Sequence, residues 1–235
     1  MRTVLIVTLP NQERHTPMTI TSPLRPVNWD HAQRIKQQEH ETAAVLLQQL
    51  REAAVRDLAL VQMDDFFRDT YLRVEDMFAW TDFTSCRQLV MVGSGPLPAT
   101  LIHIAKCQPQ IDLLGLDIDA QALQVARKLV DMLSLDRIRL TQSDGLHHDY
   151  GDVQIVYVAN LVSPKALILQ RIAQTAAPGT LVVLRDPTPS GKDQAEAGIE
   201  DLDPRLQLEG TGPESQRFQS RHVFLRVQPP PPTQR

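Results

Sequence analysis

A glycine-rich turn, Gly93-Ser94-Gly95-Pro96-Leu97-Pro98, stands between an apolar run (Leu89 to Val92) and a helix-like segment. A second apolar run, Leu113 to Leu116, then closes on Asp117. Residues of these types in this order belong to a nucleotide-binding strand–turn–helix–strand unit. Glycines let the backbone pass close to a ligand, and the unpaired N–H groups of a helix start face it. The acid that ends the second strand is placed to accept both hydroxyls of a ribose. The unit therefore binds an adenosine-type cofactor. Its turn is not a dinucleotide fingerprint, because the third glycine position is Pro98, which packs less closely and donates no N–H. Proline is tolerated there because the first helical N–H groups have no partner inside the helix. No Gly-Lys-Ser/Thr phosphate loop follows either. The turn suits a ligand without a pyrophosphate. S-adenosylmethionine fits, with a ribose for Asp117 and a carboxylate that can sit near the turn.

Ligands of an open parallel sheet bind at the carboxyl ends of its strands. Beyond the turn and Asp117, the polar residues expected there are Ser143-Asp144, Asn160 and Arg185-Asp186. Asp119 is the better helix cap ahead of Ala120, which leaves Asp117 for the ribose. Asp144 either accepts the exocyclic amine of adenine or is a turn residue before Gly145. His147-His148-Asp149-Tyr150 reads as a solvated loop, since adjacent side chains rarely point at one ion and no matching ligand spacing occurs elsewhere. No metal site is expected. Tyr71 and Glu75 share a helical face with Phe67, Val74 and Phe78. Periodicity alone reads Glu75 as a surface charge; the alternative is a partly buried carboxylate with a raised pKa, fit to act as a base.

These residues need a scaffold, and the rest of the chain supplies its outline. The 235 residues are 42% hydrophobic with a formal net charge of −4. With a pI near 6.0, the composition argues against a nucleic-acid or anionic-membrane surface. The apolar run in MRTVLIVTLP is too short to span a membrane and no cleavage site follows; it reads as a strand or arm, and the protein as cytoplasmic. Cys86 and Cys107 read as buried fillers in a reduced compartment. From Asp30 to about Trp80, apolar residues recur at helical steps (Ala43, Leu46, Leu47, Leu50, Ala54, Leu58), with Asp30 the expected first cap. Residues 1–85 are thus an arm and an α-helical subdomain. Residues 86–227 alternate strands and helices: a helix over Ala120–Leu133, strands at Ile138–Thr141 and Val153–Ala159, a helix over Pro164–Thr175, and strands at Thr180–Leu184 and Ser220–Val227. Continuous apolar strands in that alternation mean an α/β, Rossmann-like fold with a parallel sheet covered on both faces. A hydrophilic stretch separates the last two strands. Residues 228–235 form an extended Pro-rich tail.

Four segments carry a family resemblance: MVGSGPLPATLIHIAK, GLDIDAQALQVARKLVDMLSL, IVYVANLVSP and PGTLVVLRD. Together they resemble the nicotianamine synthase family, and in particular its shorter bacterial members that make opine-type metallophores. The GSGPLP element, Gly93 to Pro98, is the specific part. Asp117-Ile118-Asp119, Ala159-Asn160-Leu161-Val162 and Arg185 match the family's strand ends, and YLRVED places Tyr71 and Glu75 at its tyrosine and glutamate. The likeness spans roughly residues 60–186.

The resemblance implies a class I S-adenosylmethionine-dependent transferase that moves the 3-amino-3-carboxypropyl (aminobutanoyl) arm, not the methyl group, and releases 5′-methylthioadenosine. It assigns cofactor contacts to Gly93, Ser94, Gly95, Pro96, Asp117, Ile118, Ala159 and Asn160, to which the strand-end reading adds Asp144. It makes Glu75 the base, with Tyr71 orienting the acceptor amine, and reverses the reading that periodicity gave Glu75. Arg185 and Leu161 then face the acceptor, although an ion pair within the fold is an equal reading for Arg185. The implied acceptor is a free amino acid, histidine favoured, with one transfer feeding an opine dehydrogenase; a homodimer through the helical region is expected. Two alternatives remain: a small-molecule methyltransferase, which would release S-adenosylhomocysteine, and a non-catalytic cofactor-binding subunit. An NAD enzyme is disfavoured by the missing third glycine.

Overall fold

A computed structural model describes residues 29–53, 74–75, 77–78, 80–187, 202–215 and 220–230. The expected N-terminal arm, Tyr71, Ala54, Leu58 and the end of the Pro-rich tail lie outside the described residues. Seven strands form one sheet: β1 (Gln88–Val92), β2 (Asp112–Asp117), β3 (Ile138–Gln142), β4 (Ile155–Val158), β5 (Leu181–Pro187), β6 (Leu206–Thr211) and β7 (Ser220–Val227). Their order is β3-β2-β1-β4-β5-β7-β6. The first five are parallel, while β7 runs antiparallel to both of its neighbours. The chain leaves β1 outward to β2 and β3 and returns to β4 on its other side. That reversal opens a crevice between the carboxyl ends of β1 and β4. The fold is the Rossmann-like class I architecture, as the alternation of elements predicts.

β1 and β4 are apolar along their length because helices cover both faces. Four helices are described: α1 (Trp29–Ala53), α2 (Ala99–Cys107), α3 (Ala120–Met132) and α4 (Lys165–Thr175). Ala43, Leu46, Leu47 and Leu50 of α1 are buried in one core with Leu89, Met91, Tyr157, Val183 and Phe224 of the sheet. α1 also packs on α3. The opposite face pairs Val90, Val92, Val156, Val158 and Leu184 with Ile168, Leu169 and Ile172 of α4. α2 is buried from Ala99 through Ile104, as an apolar helix placed against a sheet must be. Asp119 caps α3, its side chain accepting from the N–H groups of Gln121 and Ala122 at 2.9 and 3.1 Å. This is the cap expected of Asp119, and it leaves Asp117 available to a ligand.

Three expectations need correction. α1 already includes Trp29, so the helix starts before Asp30. The hydrophilic stretch contains β6, whose apolar–polar alternation runs only from Leu206 to Glu209 before Gly210 interrupts it, too short to stand out among polar, Gly and Pro residues. Cys107 is exposed at the end of α2, whereas Cys86 is buried as expected. Among the described residues, no helix is long and apolar enough to cross a membrane.

Candidate active site

The crevice is built from two loops. The β1 loop turns through Gly93 and Gly95 with φ of +78° and +64°, a left-handed backbone that a side chain resists. Space adds a second restriction: a Cβ on Gly93 would lie 2.5 Å from Cγ2 of Val162. The loop after β4 is therefore seated on the glycine turn. Its start is pinned by the Ala159 N–H donating to the Val92 carbonyl at 3.0 Å. The buried Lys165 ammonium donates to the Asn160 carbonyl and fixes the other end. Inside the crevice, the side-chain oxygens of Ser94 and Asn160 are buried and have no hydrogen-bond partner among the described residues. Buried polar atoms normally find partners, so both fit contacts to a polar ligand.

Asp117 joins the turns. Its Oδ2 accepts from the Gly95 N–H at 2.7 Å and its Oδ1 from the Asp119 N–H at 2.9 Å. An ionised carboxylate has about four lone-pair sites, so two bonds position it and capacity remains for a diol. Beside it, Ile118 is 71% exposed, an apolar side chain held open at the crevice edge. Pro96 is buried, and Pro98 precedes α2 with its carbonyl accepting from the Ile102 N–H at 2.9 Å. Asp144 accepts from the Leu146 N–H at 2.9 Å, which is its turn role. Its other oxygen lies 3.7 Å from Nδ1 of His147. His148 packs edge-on against Tyr150 instead, so the two histidines diverge. Among the described residues no cluster of His, Cys, Asp and Glu is arranged to hold a metal.

The acceptor side differs from expectation. Glu75 is exposed, and its carboxylate stands near Cys107, where it adds to burial in holding that thiol's pKa up. Cys107 closes α2, and α2 begins at the glycine turn. Nine helical residues put about 12 Å between those ends. Among the described residues, Glu75 interacts with Cys107 and not with a residue of the crevice. The carboxylate that does reach it belongs to Glu39 of α1, whose Oε2 lies 3.2 Å from where a Gly95 Cβ would stand. Glu39 is half-buried, and its pKa rises from 4.5 to about 7. Burial is the largest cause; Asp117 pushes the same way, while Arg185 and Lys36 pull down. Lys36, one turn earlier, pairs with Asp119 at 2.8 Å. α1 thus places a near-neutral carboxylate over the turn and a cation on the β2 loop.

A signal for Glu39 exists in the sequence. It lies four residues before Ala43, on the apolar row that continues through Leu46, Leu47 and Leu50. The reasoning applied to Glu75, an acid on an apolar helical face, holds equally at Glu39. Arg185 lies near the carboxyl end of β5, half-buried, its Nη2 donating to Oγ of Ser220 at 3.1 Å. Leu161 is half-buried in the β4 loop. The crevice therefore unites Gly93, Ser94, Gly95, Asp117 and Asn160 with Glu39 and Arg185. A cationic clamp and a titratable carboxylate beside a nucleoside site can hold a zwitterion and remove a proton from it.

The family model for nicotianamine synthase protein matches residues 62–195. Among solved structures, a glutamate-to-glutamine mutant of MtNAS in complex with S-adenosylmethionine superposes with a TM-score of 0.70 at 18% identity, over 86% of this chain and 77% of that one. MtNAS in complex with MTA and tNA gives a TM-score of 0.70 at 18% identity, over 86% and 75%. The mitomycin 7-O-methyltransferase MmcR shares the fold with a TM-score of 0.55 at 16% identity, over 83% and 67%. No curated protein matches the chain.

Proposed function

Because this chain belongs to the nicotianamine synthase family, we propose that it transfers the 3-amino-3-carboxypropyl arm of S-adenosylmethionine to the amine of a free amino acid. S-adenosylmethionine is the co-substrate, as the family and the crevice both require. Histidine is the favoured acceptor, and the by-product is 5′-methylthioadenosine. One transfer per acceptor would give an intermediate for an opine dehydrogenase, and the finished product would chelate a transition metal.

The observation that carries this reading is Glu39 set between the Gly95 turn, Asp117 and Arg185. Attack by an amine on S-adenosylmethionine needs a group that first takes the ammonium proton, and membership of the nicotianamine synthase family favours the aminobutanoyl carbon over the methyl as the one attacked. With a pKa near 7, Glu39 exists in both protonation states at neutral pH. S-adenosylmethionine supplies a sulfonium whose attached carbons are all electrophilic, so position selects the one attacked. Asp117 holds the ribose, and the glycine turn, Ser94 and Asn160 hold the remaining polar groups. Arg185 grips the acceptor carboxylate while Glu39 takes the ammonium proton. The freed nitrogen then forms the new N–C bond as the S–C bond breaks, and the electron pair leaves on sulfur. α1, lying over the crevice, excludes water. Glu39 replaces Glu75 as the base in this scheme, and Tyr71 keeps its proposed role of orienting the amine.

Position-specific labels test the assignment. Label in the methionyl carboxylate should pass to the amino acid, while methyl label should stay on the nucleoside. Methyl label in the amino acid would establish the methyltransferase reading, which the shared fold with MmcR otherwise favours.

A further inference from the structure

Arg185 and Glu39 bear opposite charges in one half-buried site, and such groups attract strongly. A guanidinium collapsed onto the carboxylate would leave neither group for the two ends of an amino acid. Something must oppose that pull, and β7 presents a row of side chains able to do so. The register sets Tyr157 opposite Val183 and Arg185 opposite His222. Alternate residues of a strand share a face, so Tyr157, Val183, Arg185, Ser220, His222 and Phe224 all project toward the α1 side.

Along β7 each member of the row holds a partner. Phe224 stacks on Trp80 with ring centroids 5.1 Å apart and planes at 13°. Nε2 of His222 lies 3.1 Å from the Tyr157 hydroxyl, both residues being buried. At the crevice end, Oγ of Ser220 accepts from Arg185 Nη2 at 3.1 Å. Ser220 is fully buried. Its backbone is fixed twice over, by pairing with Pro187 of β5 and by the Ser215 N–H donating to its carbonyl at 2.9 Å. It is a rigid acceptor on the side of the guanidinium that belongs to β7.

We infer that Ser220 is a positioning residue: it draws the Arg185 guanidinium toward β7 and away from Glu39, so that the site grips the carboxylate and the amine of an α-amino acid separately. This rests on the aminobutanoyl transfer proposed above. It goes further in assigning Ser220 the task of holding the Arg185 guanidinium ready for the acceptor carboxylate. Losing the hydrogen bond removes one restraint on the Arg185 guanidinium and shifts it toward Glu39, which both weakens the carboxylate grip and holds Glu39 ionised to lower pH.

The test is steady-state kinetics of Ser220→Ala and Ser220→Thr with L-histidine and with L-histidinamide, whose carboxylate is a neutral amide. Ser220→Ala should raise KM for L-histidine about tenfold, the scale of one hydrogen bond to a charged group. KM for S-adenosylmethionine should stay, and kcat should change by less than about threefold on the same scale. The preference for histidine over histidinamide should shrink, and the acid limb of kcat/KM should move to lower pH. Ser220→Thr, which keeps the hydroxyl, should restore all three. An unchanged histidine KM and pH profile in Ser220→Ala would overturn the inference. So would equal losses for both acceptors and for S-adenosylmethionine together with a fall in Tm, since that pattern marks a merely structural serine. Wild-type enzyme that yields no methylthioadenosine with any amino acid would instead remove the functional reading beneath it.

Discussion

Glu39→Gln should make the protein more stable and nearly inactive, and the stability gain should depend on pH. In the fold the Glu39 carboxyl titrates at about 7, against an ordinary value of 4.5. A carboxyl raised in the folded state contributes stability that is fully present below pH 4.5 and is lost as pH rises through about 7. Above that point the fold carries a buried charge at a cost of about 3 kcal/mol, taking about 1.4 kcal/mol per pH unit. The residue's partial exposure trims the figure to about 2 kcal/mol. Glutamine has the shape of the protonated acid and never ionises. Its advantage should therefore be nil near pH 4.5 and about 2 kcal/mol at pH 8, or roughly 4–8 °C in Tm for a chain of this size. Thermal unfolding of both proteins across that range reads the difference directly. In the same variant kcat/KM should fall by about 10²–10⁴, the usual contribution of a positioned base, with S-adenosylmethionine affinity close to wild type. The wild-type kcat/KM should rise through about pH 7, and that limb should vanish in the variant. A Tm difference that is equal at pH 4.5 and pH 8, or a variant less stable at pH 8, would refute the burial argument. Undiminished turnover would remove Glu39 as the base.

Three other substitutions probe the crevice. Asp117→Ala removes the acceptor for the Gly95 and Asp119 N–H groups along with the ribose contact. Titration calorimetry should find S-adenosylmethionine binding lost, and retained binding would end the ribose assignment. Gly93→Ala forces a side chain into a φ of +78° and onto Val162. It should cost about 2 kcal/mol in denaturant unfolding and weaken cofactor binding more than it weakens the fold. Lys36→Ala breaks the pair with Asp119, whose side chains are 52% and 26% exposed. It should lower stability by no more than about 1 kcal/mol, with a difference that fades in high salt.

Much of this architecture is legible in the sequence because apolar runs and helical periodicity report burial directly. β1, β2 and β4 read as strands, α3 reads with its Asp119 cap, and the glycine turn with Asp117 sits where a nucleoside crevice requires. β6 was not legible. LQLEGT alternates over only four residues before Gly210, a signal too short to separate it from the polar loop around it. Glu75 and Glu39 illustrate a different limit. Both are acids on apolar helical rows, and periodicity gives the face of a helix but not the direction in which its axis crosses the sheet. The placement of α1 across the β1 and β2 loops is what sets Glu39 by Gly95, whereas Glu75 interacts with Cys107. Ser220 was unreadable for the same reason, since its meaning arises from the antiparallel register that sets β7 against Arg185.

The most direct test of the whole account is mass spectrometry of the products formed from S-adenosylmethionine and a pool of free amino acids, histidine included. The account predicts 5′-methylthioadenosine together with an amino acid enlarged by one 3-amino-3-carboxypropyl group. S-adenosylhomocysteine accompanied by a methylated product would contradict it.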